Sequence, residues 1–332
     1  MDRQVRLLDL GDADGVRVRL STLGATMHRL EVPSPEGPRN VVLNHRDPAD
    51  RLGSPDYLGG TIGRYANRVA GGRLEVDGRE HRVATHDRGN ALHGGPDGFD
   101  RRAWDVLDVD GTSATLGLVS PDGDMGYPGR VEARARFTAS GSTVRLELSA
   151  TTDAPTVVNL THHAYLNLDG GGRSVDGHRL TVPAGTYLPT DAEGIPLGDP
   201  VAVDGTPFDL RGGPLLGDVA RADHPQTRAA RGLDHHLVVD GTGLRTVATL
   251  ASTEGSLEVE LRSDQPGLQV YTANALDGTH LDDQGRTLRQ GDGVALEPQL
   301  APDTPNHPHW PSAVLRPGDV YSHTMEWTFR QP

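Results

Sequence analysis

The sequence contains no cysteine, and because all 32 of its basic residues are arginine it contains no lysine either. Without cysteine the chain can form no disulfide, no thiolate nucleophile, no iron–sulfur cluster and no cysteine-ligated zinc site. Without lysine it can form no side-chain Schiff base with pyridoxal phosphate or a sugar, and no P-loop lysine is available. These two absences exclude several large classes of enzyme.

The chain also lacks a positive charge balance and long apolar runs. Its net charge of −14 would repel phosphates, so we expect neither nucleic acid nor an anionic membrane as a partner. No apolar run reaches the ~18 residues of a membrane span, and residues 1–5 have no apolar signal-peptide core. We therefore expect a soluble, cytoplasmic protein.

Apolar and polar residues alternate with a period of two along much of the sequence, which is typical of half-buried β strands. It is clearest in residues 16–20, 131–137, 144–148 and 257–261. Eleven Asp-Gly pairs, from Asp14-Gly15 to Asp292-Gly293, lie between such runs and predict tight turns, because glycine adopts positive φ without penalty. No stretch predicts a long amphipathic helix, and one short turn of helix is expected between Pro225 and Arg231.

These patterns predict an all-β protein. No linker or change of composition divides the 332 residues, so we expect one large antiparallel β-sandwich and a single domain over residues 1–332. The irregular stretch from Leu58 to Asp100 differs from the rest. Long irregular segments on a β scaffold are where binding groups usually lie.

Two adjacent histidines, His162 and His163, interrupt the strand-like segment from Thr156 to Leu168. Imidazole can give or accept a proton near neutral pH, since its unperturbed pKa is ~6.5. Neighbouring residues of a strand point to opposite faces, so one of these rings can face a pocket while the other faces away.

Polar groups also cluster within the irregular stretch. Arg64 and Arg68 lie four residues apart, with Asn67 directly before the second. Arginine forks suit hydroxyl or carboxylate recognition, although the motif alone favours a pair of surface arginines on a loop. Further on, His93 precedes two glycines, which would allow the backbone to approach a ligand closely.

Two carboxylates stand out in the second half of the chain. Asp234 precedes a histidine pair at the start of an apolar strand, where it is either a turn residue or a buried hydrogen-bond acceptor. Glu297 follows three apolar residues, which indicates burial, and burial would raise its pKa and suit it to act as a base. A solvent-facing glutamate at a strand edge is the alternative.

A metal site is not expected, although the chain has 15 histidines. Adjacent strand histidines cannot easily reach one ion, and no HExxH motif occurs. The segment from His307 to Pro311 is typical of a surface loop. What remains is a set of histidines, carboxylates and an Arg/Asn pair, suited to moving protons on a polyhydroxylated small molecule.

Eight stretches of the sequence match the motifs of one known family in the same order. They are 62–69 (IGRYANRV), 90–95 (NALHGG), 98–104 (GFDRRAW), 120–129 (SPDGDMGYPG), 156–168, 233–235 (LDH), 266–274 (PGLQVYTAN) and 296–299 (LEPQ). Each motif alone is modestly specific, but together and in this order they are strong evidence of a resemblance. On these motifs the chain resembles the aldose 1-epimerase (galactose mutarotase) family.

The resemblance implies an open sugar-binding cleft on a β-sandwich of the supersandwich type, and interconversion of the α- and β-anomers of a free aldose such as glucose or galactose, without a cofactor. It implies that Glu297 is the general base, that His163 is the general acid and that His93 assists at the ring oxygen. The residues implied to bind sugar hydroxyls are Asn67, Arg68, Asp234 and Gln269. The family usually has asparagine where this chain has His162.

Three alternatives stay open on the sequence. A non-catalytic sugar-binding module would keep the hydroxyl-binding residues and could dispense with the acid–base pair, so retention of both Glu297 and His163 argues against it. A hexose-6-phosphate 1-epimerase would need a basic phosphate clamp, and none is identifiable beyond Arg68 and nearby arginines. A metal-dependent sugar isomerase would lose activity with a chelator. The preferred aldose and the oligomeric state are not predicted.

Overall fold

The computed structural model describes residues 5–332, and strands dominate it. The strands are β1 (Leu7–Gly11), β2 (Arg17–Ser21), β3 (Thr26–Val32), β4 (Arg39–Asn40), β5 (Thr61–Ile62), β6 (Arg68–Val69), β7 (Arg73–Val76), β8 (Arg79–Arg82), β9 (Ala91–Leu92), β10 (Asp105–Val109), β11 (Ser113–Ser120), β12 (Val131–Ser140), β13 (Thr143–Thr152), β14 (Thr156–Val157), β15 (Thr161–His162), β16 (Tyr165–Leu166), β17 (Arg179–Thr181), β18 (Ala184–Leu188), β19 (Val201–Ala202), β20 (Asp234–Val239), β21 (Arg245–Ala251), β22 (Glu258–Ser263), β23 (Gly267–Tyr271), β24 (Asp277–Leu281), β25 (Thr287–Arg289), β26 (Val294–Gln299), β27 (Val314–Leu315) and β28 (Tyr321–Arg330).

Helices are few and short. Two α-helices lie within residues 5–332, α1 (Leu216–Ala220) and α2 (Pro225–Ala230). Single turns of 3-10 helix cover Pro48–Gly53, Ala70–Gly72, Phe99–Arg101, Asp124–Gly126, Val175–Gly177 and Thr304–Asn306. Over this part of the chain, no helix is long and apolar enough to cross a membrane. The prediction of an all-β protein is confirmed, and the expected helical turn is α2.

An eight-stranded antiparallel sheet has the strand order β10-β11-β12-β13-β28-β22-β21-β17. Its central strands follow the period-two pattern: buried and solvent-facing residues alternate strictly from Val131 to Phe137 in β12. In β12 the polar set faces solvent, and the apolar set belongs to the buried core. One apolar face per strand fixes the register, because a shift by one residue would expose the whole apolar set.

A second sheet of six strands has the order β16-β26-β23-β20-β18-β19. In contrast to the first sheet, all six residues of β26 are buried, and four of the five residues of β23 are buried. Both faces of the sheet are therefore covered at these two strands. One face packs on the eight-stranded sheet, and the other forms the floor of a cavity.

The hydrophobic core lies between the two sheets. Leu146 and Trp327 of the first sheet and Val270 and Leu296 of the second belong to one cluster of buried apolar side chains. Apolar burial contributes roughly 25 cal/mol per Å², so a layer of this extent is the main source of stability. A four-stranded sheet, β1-β2-β3-β4, adds Leu20 and its neighbours to the same cluster. The predicted β-sandwich is confirmed.

Candidate active site

A cavity of about 460 Å³ lies over the outer face of the six-stranded sheet. This volume falls within the ~300–1,000 Å³ that is usual for small-molecule sites. The cavity is lined by Pro55, Asp56, Tyr57, Asn67, Arg68, His86, Asp87, Arg88, Leu92, His93, His163, Tyr165, Ala229, Ala230, Arg231, Asp234, Tyr271, Asn274, Ala275 and Glu297. Of the seven residues singled out by the sequence, six line it. The seventh, Gln269, pairs with Glu297 on the neighbouring strand.

The pairing of the strands determines which side chains lie side by side on the floor of the cavity. Across β16, β26, β23 and β20, Tyr165 pairs with Ala295, Ala295 with Tyr271, and Tyr271 with Asp234. Directly paired residues of antiparallel strands lie on the same face, so these four side chains form one row. The next row on that face contains Glu297, which pairs with Gln269.

Glu297 is the carboxylate at the base of the cavity. It is buried, with 1% of its surface exposed, and its Oε2 atom has no hydrogen-bond partner among the described residues. Burial, together with the nearby negative charge of Asp234, raises the pKa of Glu297 well above its usual value, against the opposing effect of Arg68. The alternative of a solvent-facing glutamate at a strand edge is wrong, because β26 lies between β16 and β23.

His162 and His163 point in opposite directions. The His162 ring lies in the core, with its centroid 5.8 Å from that of Phe137 and 5.9 Å from that of Trp327. His163 lines the cavity, and its ring centroid is 4.8 Å from that of Tyr165. The alternation of side chains along a strand therefore separates a core imidazole from a cavity imidazole.

The Nε2 atom of His163 lies 3.4 Å from Oε1 of Glu297. A carboxylate this close would by itself favour protonated His163 at neutral pH. Burial opposes this and lowers the pKa of His163 to about 3, because the charged ring loses its hydration. Burial causes both the raised pKa of Glu297 and the lowered pKa of His163, because it disfavours the charged form of each group. The one proton that the pair shares is therefore favoured on Glu297, which leaves both groups neutral.

His93 presents a defined tautomer. The backbone N–H of Asn67 donates to its Nδ1 atom over 3.1 Å, so in the neutral ring the hydrogen resides on Nε2. Burial and the neighbouring His163 lower the pKa of His93 well below its usual value, so the ring is neutral. The His93 and His163 rings meet edge to face with centroids 5.3 Å apart. His93 is thus a neutral N–H donor beside the acid–base pair.

The glycine after His93 has a different role from the one expected. A side chain at Gly94 would place its Cβ 2.0 Å from the carbonyl oxygen of Gly63, and Gly94 has φ of +88°. Its close approach is therefore to the protein's own backbone rather than to a ligand. This contact fixes the turn that carries His93.

Arg68 and two carboxylates form the polar side of the cavity. The Nε atom of Arg68 donates to Oδ2 of Asp87 over 2.8 Å, and the Nη1 atom of Arg68 lies 4.0 Å from Oδ2 of Asp234. Burial alone would lower the pKa of Arg68, but these two negative charges outweigh it and raise the pKa. Gln269 donates from Nε2 to Oδ1 of Asp234 over 2.7 Å, which orients that carboxylate. Asn67 accepts the backbone N–H of Arg68 through Oδ1 at 2.8 Å.

Arg64 has no part in this cavity, and the favoured interpretation of a surface arginine pair is wrong for both residues. Both Arg64 and Arg68 are buried. The Arg64 fork donates to the carbonyl oxygens of Pro128 and Gly129 and to the hydroxyl of Ser120. It holds two loops together and is structural.

His93, His163 and Glu297 are the one set within residues 5–332 whose potential metal-ligand atoms all lie within 4.8 Å of one another. A metal-bound histidine usually donates its second ring N–H to an acceptor. In His93 the second nitrogen instead receives the Asn67 N–H, which leaves the hydrogen on the nitrogen a metal would need. These three side chains are therefore better suited to hydrogen-bond an oxygen atom of a ligand than to coordinate a cation.

Sequence reasoning missed the aromatic walls of the cavity. The rings of Tyr57 and Tyr165 flank His163, with the Tyr57 centroid at 5.8 Å, and Tyr271 lies edge-on at 6.2 Å. Tyr165 was detectable, since it lies two residues after His163 and so on the same face of an extended chain. Tyr57 carried no such signal, because its ring reaches the site from a separate loop.

Known proteins are similar to this chain in sequence over almost its full length. The sequence model of the family described as aldose 1-epimerase matches residues 6–328. The chain belongs to the aldose 1-epimerase family. Among curated members, it is 36% identical to aldose 1-epimerase of Escherichia coli K12, covering 98% of this chain and 95% of the relative. It is 37% identical to human galactose mutarotase, and the match covers 96% of this chain and 92% of the relative.

Solved structures of the family share the same fold. The GalM/aldose epimerase homologue from C. elegans superposes with a TM-score of 0.92 at 28% identity, covering 99% of both chains. Galactose 1-epimerase from Lactobacillus acidophilus superposes with a TM-score of 0.88 at 28% identity, covering 100% of this chain and 96% of the other. The expected family fold therefore extends over the whole described chain.

Proposed function

We propose that this protein is an aldose 1-epimerase, which interconverts the α- and β-anomers of a free aldose by opening and reclosing the sugar ring. The observation that carries the proposal is the buried pair of Glu297 and His163, 3.4 Å apart at the floor of a ligand-sized cavity. The anomeric hydroxyl and the ring oxygen are attached to the same carbon. A base and an acid that serve both must therefore reach the same small region of the cavity, as this pair does.

In the opening step Glu297 takes the proton of the anomeric hydroxyl while His163 protonates the ring oxygen. Joint assistance avoids a free alkoxide, and each partner contributes on the order of 10²–10⁴-fold. Rotation about the C1–C2 bond then presents the other face of the aldehyde. Reclosure reverses the two roles, so neither group is consumed and the chemistry requires no cofactor.

The shared proton explains how one pair can serve both directions. Opening begins with ionised Glu297 and protonated His163, and it ends with both groups neutral. Reclosure begins from that neutral pair. Burial favours the neutral pair, whereas the attraction of opposite charges 3.4 Å apart favours the ionised one. Two opposing effects of this kind keep the two protonation states accessible within one turnover.

The remaining residues bind and shield the sugar. His93, as a neutral Nε2–H donor, would hold the ring oxygen, and the tyrosine rings would exclude water from the reacting atoms. Arg68 and Asp234 would bind hydroxyls as donor and acceptor. Asn67 would donate from its free amide nitrogen, and Gln269 would act mainly by orienting Asp234.

We further propose that residues 1–332 work as a single catalytic domain. Supporting this, the family match runs from residue 6 to residue 328, and side chains near both ends, Leu8 and Phe329, belong to the same apolar cluster. A cytoplasmic location stays a prediction.

A phosphorylated hexose is the second candidate substrate. The observation that favours it is that Arg88 and Arg231 line the mouth of the cavity and are exposed. Against it, Arg88 is already bonded to Asp87 and to the carbonyl oxygen of Ala192. This leaves mainly Arg231 to meet a phosphate, and a single exposed arginine is a weak clamp, so we favour a neutral aldose.

The test is the rate of mutarotation, measured by polarimetry on freshly dissolved α-D-glucose, α-D-galactose, xylose and arabinose. Glucose 6-phosphate is assayed separately to test the phosphorylated substrate. We expect mutarotation of the neutral sugars well above the spontaneous rate, unchanged by a chelator. Binding of galactose without faster mutarotation would instead identify a sugar-binding module. Loss of activity with a chelator would contradict the metal-independent mechanism.

A further inference from the structure

The loop of residues 189–197 lies behind Arg68 and is held in a fixed shape. It connects β18 to β19 and is closed by a bridge between Thr190 and Pro196. Within it, Oδ1 of Asp191 accepts the backbone N–H groups of Glu193 and Ile195 at 3.0 and 2.8 Å. The tip of the loop is therefore a preformed turn.

Two further contacts join this 189–197 loop to elements that line the cavity. Gln226 of α2 accepts the backbone N–H of Thr190 at 2.8 Å and donates to the Thr190 carbonyl oxygen at 2.9 Å. Arg88 donates from Nη1 to the carbonyl oxygen of Ala192 at 2.7 Å. The loop thus spans from α2 to the turn that carries Asp87 and Arg88.

Between these anchors, Gly194 packs directly against the guanidinium of Arg68. A Cβ atom at Gly194 would lie 2.8 Å from Nη1 and 2.9 Å from Cζ of Arg68, closer than real Cβ contacts come. Nη1 is also the atom of Arg68 nearest to Asp234. Gly194 has φ of +82°, which glycine adopts without strain.

We propose that Gly194 is a positioning residue for sugar binding: its missing side chain lets the 189–197 loop support the guanidinium of Arg68 from behind. Asp87 and Asp234 attract the guanidinium, and the backbone at Gly194 closes the remaining side. Arginine otherwise has many rotamers, and a fixed fork loses less entropy for each hydrogen bond that it makes to a ligand.

This inference rests on the proposed function, and the experiment separates the two. Gly194→Ala should raise the KM for galactose about tenfold and leave kcat within about twofold, since Arg68 contacts hydroxyls rather than the reacting proton. The galactose Kd, measured by titration calorimetry, should rise by a similar factor. The wild-type protein in the same polarimetric assay tests the proposed function by itself.

Gly205→Ala is the matched control. Gly205 has φ of +72°, and a Cβ atom there would have no neighbour within 4 Å among residues 5–332, so the variant incurs the same backbone strain without touching Arg68. We expect a similar fall in Tm for both variants and a raised KM for Gly194→Ala alone. The proposal would be overturned if the two variants had equal KM values. It would also be overturned if Gly194→Ala lowered kcat and left KM unchanged.

A double variant gives the direct test of coupling. In an Arg68→Gln background the guanidinium is gone, so adding Gly194→Ala should change the galactose Kd by less than about twofold. A tenfold effect that persists in this background would show that Gly194 acts through another group. A wild-type protein that binds galactose without epimerising it would refute the proposed function and leave the positioning test intact, whereas one that does not bind galactose would refute both.

Discussion

Strands β12 and β26 belong to the two facing sheets, yet they differ in what they bury. From Val131 to Phe137, β12 buries apolar side chains on its inner face and exposes charged ones on the other. β26 buries both faces: Val294 and Leu296 contact the core, whereas Glu297 on the opposite face lies in the cavity. The first sheet therefore supplies stability, and the second combines stability with chemistry.

The difference is informative because burying an ionisable group is unfavourable. A carboxylate removed from water shifts its pKa or requires partners, and natural cores mostly avoid it. Glu297 remains buried with one oxygen unpartnered. A strand that is buried on both faces and carries such a group is thus a stronger indication of a site than any exposed polar cluster. Three predictions test this contrast, from the largest expected effect to the smallest.

Glu297→Gln should reduce kcat by about 10²–10⁴-fold, because the amide cannot accept the anomeric proton. The matched control is Glu132→Gln on β12, where the carboxylate is exposed and pairs with Arg130. We expect that variant to retain the wild-type rate in polarimetry. Full activity of Glu297→Gln would remove the base from the proposed mechanism.

His163→Asn should lower kcat by at least about 10²-fold through loss of the acid. His162→Asn should keep kcat, because that ring contacts Phe137 and Trp327 rather than the cavity. It should lower the free energy of unfolding by about 1–3 kcal/mol, since a smaller polar group replaces the ring in the core. The reverse order of activities would show that the wrong imidazole has been assigned to the acid.

Stability should also depend on pH through His162. Burial lowers its pKa to about 3, whereas the unfolded chain titrates near ~6.5, so the unfolded state binds more protons between these values. Its stabilising contribution is present above pH 6.5 and is lost as pH falls toward 3. Between pH 7.5 and 5.0 one such histidine accounts for about 2 kcal/mol.

Urea denaturation at those two pH values measures this contribution. His162→Asn removes the titrating ring, so its loss of stability between pH 7.5 and 5.0 should be about 2 kcal/mol smaller than that of the wild type. An identical pH dependence in both proteins would mean that the ring does not resist protonation in the core.

The sequence predicted the sheets well because their determinants are local. Alternation over 131–137 and 144–148 marks strands wherever one face is buried. The burial of Glu297 was predicted for a related reason, since three apolar residues precede it. The separation of His162 from His163 required only the period of an extended chain.

Other parts of the site depend on groups that leave no pattern in the sequence. Arg64 is buried because its fork meets carbonyl oxygens more than 60 residues away, and backbone acceptors exist at every position. The neutral state of His163 depends on how completely the tyrosines surround it, which strand periodicity does not encode. The contact of Gly194 with Arg68 likewise arises only when distant segments meet.

The position of β28 has a consequence for how the protein is made. This strand, residues 321–330, lies in the middle of the eight-stranded sheet, between β13 and β22. During synthesis both neighbours emerge from the ribosome first, and each keeps an unpaired edge until residue 330 has followed. Unpaired edges readily join other chains, so the protein is prone to aggregate during this interval. A nascent chain stalled before Tyr321 should therefore depend on chaperones far more than the released protein does.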